Sequence, residues 1–513
     1  MGVKDGRFSG YRCFVSGHLV VYLQKRDERM NEDDNQWIAA YMSKWTITGP
    51  TGPVLKQDLT ITLADELGLL DHLKEIQGNL CVLGVKKRIV LQDLVIGGSI
   101  IVNWCEELVI GDNVRCSGDV SIKSCSKVVL PDNWTVPGKL TVDESGLGCI
   151  PKGLHVGGDF TFAKTLVESY PADTVVGGNV NGSDSWLYTI AEDLHFHGDL
   201  KISRCPIRHL PKRIRIDGDL DIAGSRVTEI GEGVVIGRSL FAARCMLMRL
   251  PDYFVCRGTL DLFGCLVEEL PQHLEVWGDL NISNTDIMSL PAKGLVKGGL
   301  IAASTRFRTL PSGFVFQLFG QFDDGKLEEV PEHLVLRNYI SFKNCPVRSL
   351  GANANKLGAI WASGSALRSL PDNLIVRNGL DISYCSMESL PKGLTVLGDL
   401  IARGSALKAL KDDLVVDGIL DITRTDVCIV PATVVYRNLR RSFACDVPAQ
   451  WVGENPVLHV SGKYLFTGES IWAIMERKGD DFHCRSLNGA VTTWLMWKDD
   501  KWRYGKEFDS LER

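Results

Sequence analysis

Apolar side chains recur along this chain every twenty residues. Leu210, Ile230, Leu250, Leu270, Leu290, Leu310, Val330, Leu350, Leu370, Leu390 and Leu410 form one column, which extends back to Val90 and forward to Val430. All eighteen of its positions are apolar, so the column marks an internal repeat. The next position holds twelve of the nineteen prolines, Pro131, Pro251 and Pro391 among them. Proline there fixes φ and ends a strand, which places a turn at one corner of each unit. Strict alternation follows, as in Leu374-x-Val376-x-Asn378-x-Leu380-x-Ile382. Period two predicts extended backbone with one face turned inward.

Two further columns refine the unit. The middle of the alternating run is glycine in thirteen of eighteen units, including Gly118, Gly218, Gly298 and Gly418, and asparagine at Asn338, Asn378 and Asn438. Either a bend with positive φ or crowding against the neighbouring unit selects these residues. Small side chains with a donor fill another column: Cys125, Ser185, Cys205, Cys245, Cys265, Thr285, Cys345, Cys385 and Ser405 are examples. They suit a narrow corner where backbone carbonyls of adjacent units need partners. Seven of the fifteen cysteines are structural on this reading.

Leu380 to Pro391, L-x-I-x-x-C-x-x-x-x-L-P, resembles the leucine-rich-repeat core with Cys, Ser or Thr in the usual Asn place. The twenty-residue length and Leu-Pro start are similar to the short repeats of bacterial leucine-rich-repeat effectors. The added V-x-G half-strand departs from that pattern and reads like a two-sided β-solenoid. The expected fold is mainly β, an LRR-like solenoid of about eighteen rungs, because stacked units bury a stripe that one unit cannot.

The predicted domains are an α/β capping region over residues 1–76, the solenoid over 77–439, and a small Trp-rich β domain over 440–513. A helix is predicted over Asp65–Ile76, capped by Asp65 or Thr62. Four or five antiparallel strands are predicted after residue 445. Three units break the pattern: Gly182 stands at an inward position, Gly320 and Gly325 replace larger residues, and Gly351–Lys356 loses its proline. Such breaks mark either a functional site or drift in a tolerant array.

Composition changes the picture little. A net charge of -6 gives no reason to expect nucleic-acid binding. No apolar run is long enough for a membrane span, and no secretory signal is expected at the N-terminus. Fifteen cysteines without CxxC spacing favour a reducing compartment. A cytoplasmic protein, or one delivered into a host cell, is expected. No Walker loop, GxSxG or HExxH motif is present, so no enzyme and no cofactor is expected. His195-x-His197-x-Asp199 sets three potential ligands on one side of a strand, but histidines so spaced are common by accident and no metal is expected. Arg208, Lys212, Arg213 and Arg215 read as a solvated edge.

The outward strand positions carry the candidate chemistry. One column contains Asp119, Asp159, Asp199, Asp219, Asp279 and Asp399; the other contains Asp221, Asp261, Asp381 and Asp421. Beside them lie Phe241, Phe263, Phe319, Tyr339, Trp361 and Tyr384. Large aromatics among acids suit the centre of a protein interface. The expected partner site is Phe241, Phe263, Tyr339, Trp361, Tyr384, Asp221, Asp261 and Asp381. The chain therefore reads as a protein-binding scaffold, a bacterial or phage effector or inhibitor. The alternatives are a self-associating component of a larger particle and, less favoured, an enzyme with its chemistry in a terminal domain.

Overall fold

A computed structural model of the chain describes residues 52–441 except His333, together with backbone strands at Gly10–Val15, His18–Leu23, Thr46–Gly49 and six segments between residues 460 and 504. The chain is mainly β, a β-solenoid of about 19 turns. It divides into two compact units, residues 1–251 with 256–259 and residues 252–255 with 260–513.

In the first unit, Leu59–Ile61, Leu80–Leu83, Ile100–Asn103, Val120–Lys123 and Leu140–Asp143 form one parallel ladder. It continues through two-residue strands such as Leu200–Lys201 and Leu220–Asp221. Partners lie 20 residues apart, except the first step from Leu59 to Leu80. Leu59–Ile61 thus already belong to the ladder, within residues 1–76. Separate short parallel sheets pair Val95–Ile96 with Arg115–Cys116, His155–Val156 with Val175–Val176, and His195–Phe196 with Arg215–Ile216. The early turns add a third side, Arg88–Leu91, Glu107–Ile110 and Lys127–Val129.

In the second unit the main ladder runs from Leu260–Asp261 through Tyr339–Ser341, Ala359–Trp361 and Gly379–Asp381 to Asn438–Arg441. The strands between 460 and 504 form a six-stranded antiparallel meander, where four or five were expected. The Trp-rich side chains of that segment lie outside the described residues.

The alternation is the reason for the core. Ile216, Leu220, Ile222 and Val227 of one turn are fully buried, while their neighbours in sequence face outward. Each such side chain contributes roughly 1.5–3 kcal/mol when removed from water. Because like residues stack on like, the stripe is continuous within a unit.

The predicted helix is much shorter than expected. Ala64–Leu67 is a 3-10 turn, Gly68–His72 is α-helical, and Glu75–Ile76 is a strand paired with Val54–Leu55. Leu69, Leu70, Leu73 and Ile76 are all buried, so their helical spacing reflects burial on a tight insert rather than one long helix. Neither Asp65 nor Thr62 caps it. The buried Glu66 carboxylate accepts the backbone N–H groups of Thr62 and Leu63, at 3.0 and 3.1 Å.

Crowding explains the glycine column. A Cβ on Gly298 would lie 2.5 Å from the carbonyl oxygen of Gly278, and one on Gly418 2.7 Å from that of Gly398. Gly358 (54°) apart, positive φ occurs instead four residues after the inward apolar residue of the main strand, at Lys164 (54°), Arg204 (56°), Arg244 (57°) and Tyr384 (57°). There the chain closes a turn: Cys245 N–H donates to the Ala242 oxygen at 3.1 Å with Arg244 left-handed at the third position. The small-donor column works as its chemistry predicts. Thr285 and Ser405 hydroxyls donate to Ile282 and Ala402 oxygens in the same turn, at 2.6 and 2.7 Å. The longer-reaching thiols of Cys205, Cys345 and Cys385 donate to carbonyls one turn back, those of Gly182, Phe322 and Ala362.

All three irregular turns are sterically compensated. The Phe162 ring fills the space that a side chain on Gly182 would need, and Phe322 and Phe316 do the same at Gly320. Residues Ala352–Lys356 coil into a 3-10 turn that buries Ala354 and Leu357 in place of the lost strand residues.

Candidate protein-interaction surface

The eight residues singled out from the sequence fall in both units. Asp221 and Phe241 lie in the first, on neighbouring strands and directly opposite one another. The other six lie in the second.

In the second unit, Phe319 and Tyr339 occupy the same outward position of adjacent strands, and their rings stack at 5.1 Å with a 12° interplanar angle. Trp361, one turn on, projects from the other side of inward Ile360 and lies between Ser341 and Asp381 in register. Three of the outward rings lie over a glycine in a neighbouring turn, a relation the sequence shows only in hindsight. Phe319 covers Gly299, Trp361 covers Gly379, and Tyr384 covers Gly404. Glycine leaves backbone bare, and a flat ring seals it. Tyr384 is more exposed, at 54%, and sits at a left-handed corner. Phe263 and Asp261 share a local turn, with Phe263 N–H donating to Asp261 Oδ1 at 3.0 Å. Burial, then the charges of Asp323 and Asp279, raise the Tyr339 phenol above its ordinary value, so it remains a neutral donor.

The aspartates are more structural than the sequence suggests. Asp221, Asp381 and Asp421 each accept the backbone N–H two residues on, at 3.0, 2.9 and 3.0 Å. Aspartates of the other column reach across turns. Asp119, Asp159, Asp199, Asp279 and Asp399 accept N–H groups of Lys139, Asn179, Asp219, Gly299 and Ile419. Lys139 further pairs with Asp159, and Arg238 with Asp199. Only part of each carboxylate is left for a partner.

The basic cluster is largely paired: Lys212 with Glu232, Arg213 with Asp193 and Glu192, Arg215 with Asp217. Asp199 is not the third member of the histidine group. Its carboxylate is taken by Asp219 N–H and Arg238, and Asp217 of the next turn faces the imidazoles instead.

Sequence reasoning missed a surface in the first unit. Trp186 and Tyr188 are exposed beside Arg204, Pro206 and Arg226, around an open cavity of about 430 Å³. Arg204 is fixed there by a bidentate pair with Asp184, both bonds at 2.6 Å. The signal was present, since these aromatics flank the inward Leu187 at alternate positions.

Stacked parallel strands, a twenty-residue register and a small-donor corner define a leucine-rich-repeat-like solenoid, a repeat scaffold. No family model matches the chain, and no curated protein matches it. Among solved structures it is similar to YopM from Yersinia enterocolitica, at 19% identity over 74% of this chain and 84% of that one, with a TM-score of 0.47. A structure of YopM from Yersinia pestis, described as a leucine-rich effector protein, aligns at 15% identity over 63% and 82%, TM-score 0.37. A leucine-rich-repeat protein of Leptospira interrogans aligns at 12% over 67% and 90%, TM-score 0.35. The fold assignment rests on the register itself. No helix among the described residues is long and apolar enough to cross a membrane.

Proposed function

We propose that the chain is a protein-binding scaffold that engages its partner through the outward strand face of the second unit, with Tyr339, Trp361 and Phe319 as anchors. The observation that carries this reading is the stacked Phe319–Tyr339 pair beside Trp361, with Phe319 and Trp361 each seated over a glycine. Rings fixed in advance lose little side-chain entropy on binding, and half-buried aromatics are the usual centres of binding energy. Asp323 and Asp279 near Tyr339, and Asp381 beside Trp361, give the rim a negative sign. That sign suits a partner presenting apolar side chains ringed by Lys or Arg, and opposes a phosphate backbone.

Affinity capture from the native source, by wild-type chain and by a Tyr339→Asp, Trp361→Asp variant, tests the reading. The variant is expected to melt like wild type and to lose the captured protein, while Trp186→Asp keeps it. Equal capture by the wild type and the double variant overturns the assignment. Loss only in Trp186→Asp moves the interface to the first unit.

A further inference from the structure

The first unit brings together a side-chain cluster that the scaffold does not need. His195 and His197 flank the inward Phe196 on one turn, with ring centroids 4.2 Å apart. Asp217, on the next turn, presents Oδ2 to both, at 2.8 Å from His195 Nε2 and 3.9 Å from His197 Nδ1. One ligand atom from each of the three lies within 4.8 Å of the others. Around a tetrahedral ion with bonds of about 2.0–2.1 Å, such atoms stand roughly 3.3 Å apart. The observed separations straddle that value. All three side chains are exposed, and a turn of the His197 imidazole would close the longer separation.

We propose that His195, His197 and Asp217 bind a borderline divalent cation of the zinc class, linking two adjacent turns and leaving its outer coordination positions open to water. Two imidazoles and one carboxylate are the donor set such ions favour. Nothing in the repeat pattern calls for it. The equivalents of His195 one turn back and one turn on are Val175 and Arg215, and Gly177 stands in the place of His197.

The orientation is built from outside the triad. Arg215 Nε donates to Asp217 Oδ1 at 2.8 Å, which turns the other oxygen toward the imidazoles. An anchored carboxylate of this kind is how outer groups aim a metal ligand. His195 Nε2 and Asp217 Oδ2 are hydrogen-bonded to each other at 2.8 Å, and the cation takes the place of that bond.

Titration of the full-length chain with ZnCl2 by calorimetry, and with CoCl2 by visible absorption, is the test. One equivalent is expected to bind, with a cobalt spectrum lacking thiolate charge-transfer bands, which excludes the fifteen cysteines as ligands. His195→Ala, His197→Ala and Asp217→Asn each weaken that equivalent at least tenfold. His155→Ala and His209→Ala leave it unchanged. Because the melting temperature of each metal-free variant is measured first, misfolding is separated from ligand loss. Absence of binding at millimolar zinc, binding indifferent to all three substitutions, or a thiolate-type cobalt spectrum overturns the proposal. The outcome is independent of the protein-partner assay, whose anchors lie in the second unit.

Discussion

Asp159 and Asn179 occupy the same position of successive turns, and the carboxylate of the first accepts the backbone N–H of the second at 2.9 Å. Asn179 then does the same for Asp199, at 2.7 Å, and Asp199 for Asp219, at 2.9 Å. The chain of side-chain acceptors runs where the strand bends away from regular pairing. It supplies partners to amides that the ladder leaves open.

Replacing Asp159 by Ala leaves the exposed Asn179 amide to water and costs about 0.5–1.5 kcal/mol. Asp159→Asn is expected to retain most of that stability, because Asn179 performs the same task one turn on. Urea midpoints of the two variants check the order; equal losses would contradict it.

Acid should reveal the same group. Lys139, and then the Asn179 amide, hold the Asp159 carboxyl below its ordinary value of 3.8. Since the folded value is depressed, its contribution is complete above the ordinary value and is lost as pH falls through the folded one. Between about pH 5 and about pH 2 the wild type is therefore expected to lose more stability than Asp159→Asn. Parallel acid profiles for the two proteins would show that the group is not coupled to folding.

Glycine is required for different reasons at different places. Gly298→Ala drives a Cβ into the Gly278 carbonyl of the preceding turn, and a cost of at least ~2 kcal/mol is expected. Gly84 has open space around it but φ of +72°, so Gly84→Ala costs only ~1–2 kcal/mol. Thermal melts of the two variants rank them.

Phe162 and Gly182 share one volume. Gly182→Val alone overpacks the core against Phe162, and Phe162→Val alone empties it, each at a cost of about 1–4 kcal/mol. The pair together is expected to fall short of the sum by more than ~1 kcal/mol. An additive double-mutant cycle would break the claim that one ring compensates for the missing side chain.

Thiol reactivity separates corner cysteines from the rest. Burial pushes the Cys345 thiol up to about 11, and Cys205 and Cys385 are raised for the same reason. In native protein at mildly alkaline pH these three are expected to resist alkylation, whereas exposed Cys149 and Cys428 react. Peptide mapping after labelling, with and without denaturant, decides it.

Much of the solenoid was legible from residue types alone. The leucine and proline columns, the alternation and the small-donor corner all report local chemistry repeated in register, and repetition averages out the noise of any single position. The glycine column was legible only as a choice between bend and crowding, because both exclude a Cβ. The left-handed corner was only half legible: Gly224, Gly264, Gly364, Gly404, Asn284 and Asn344 signal positive φ there, whereas Lys164, Arg204 and Tyr384 do not. The helix over Asp65–Ile76 misled because buried positions on a compact insert mimic a helical stripe. For the candidate surface, the sequence identified which aromatics face outward but not the glycines beneath them. It also paired His195 and His197 with Asp199, their near neighbour, because sequence proximity does not show that Asp217 is nearer in space.

Main-ladder partners lie 20 residues apart through the interior of each unit, while the first step, Leu59 to Leu80, and the last, Leu420 to Leu439, depart from that spacing. An insertion of one residue within an interior strand would turn the inward side chains beyond it, on that strand, to the outer face. A duplication or loss of twenty leaves each amide and each methyl group facing its own kind. Genes for such chains can therefore lengthen or shorten by unequal recombination in whole units, while ordinary small frame-preserving insertions are confined to the two extremities.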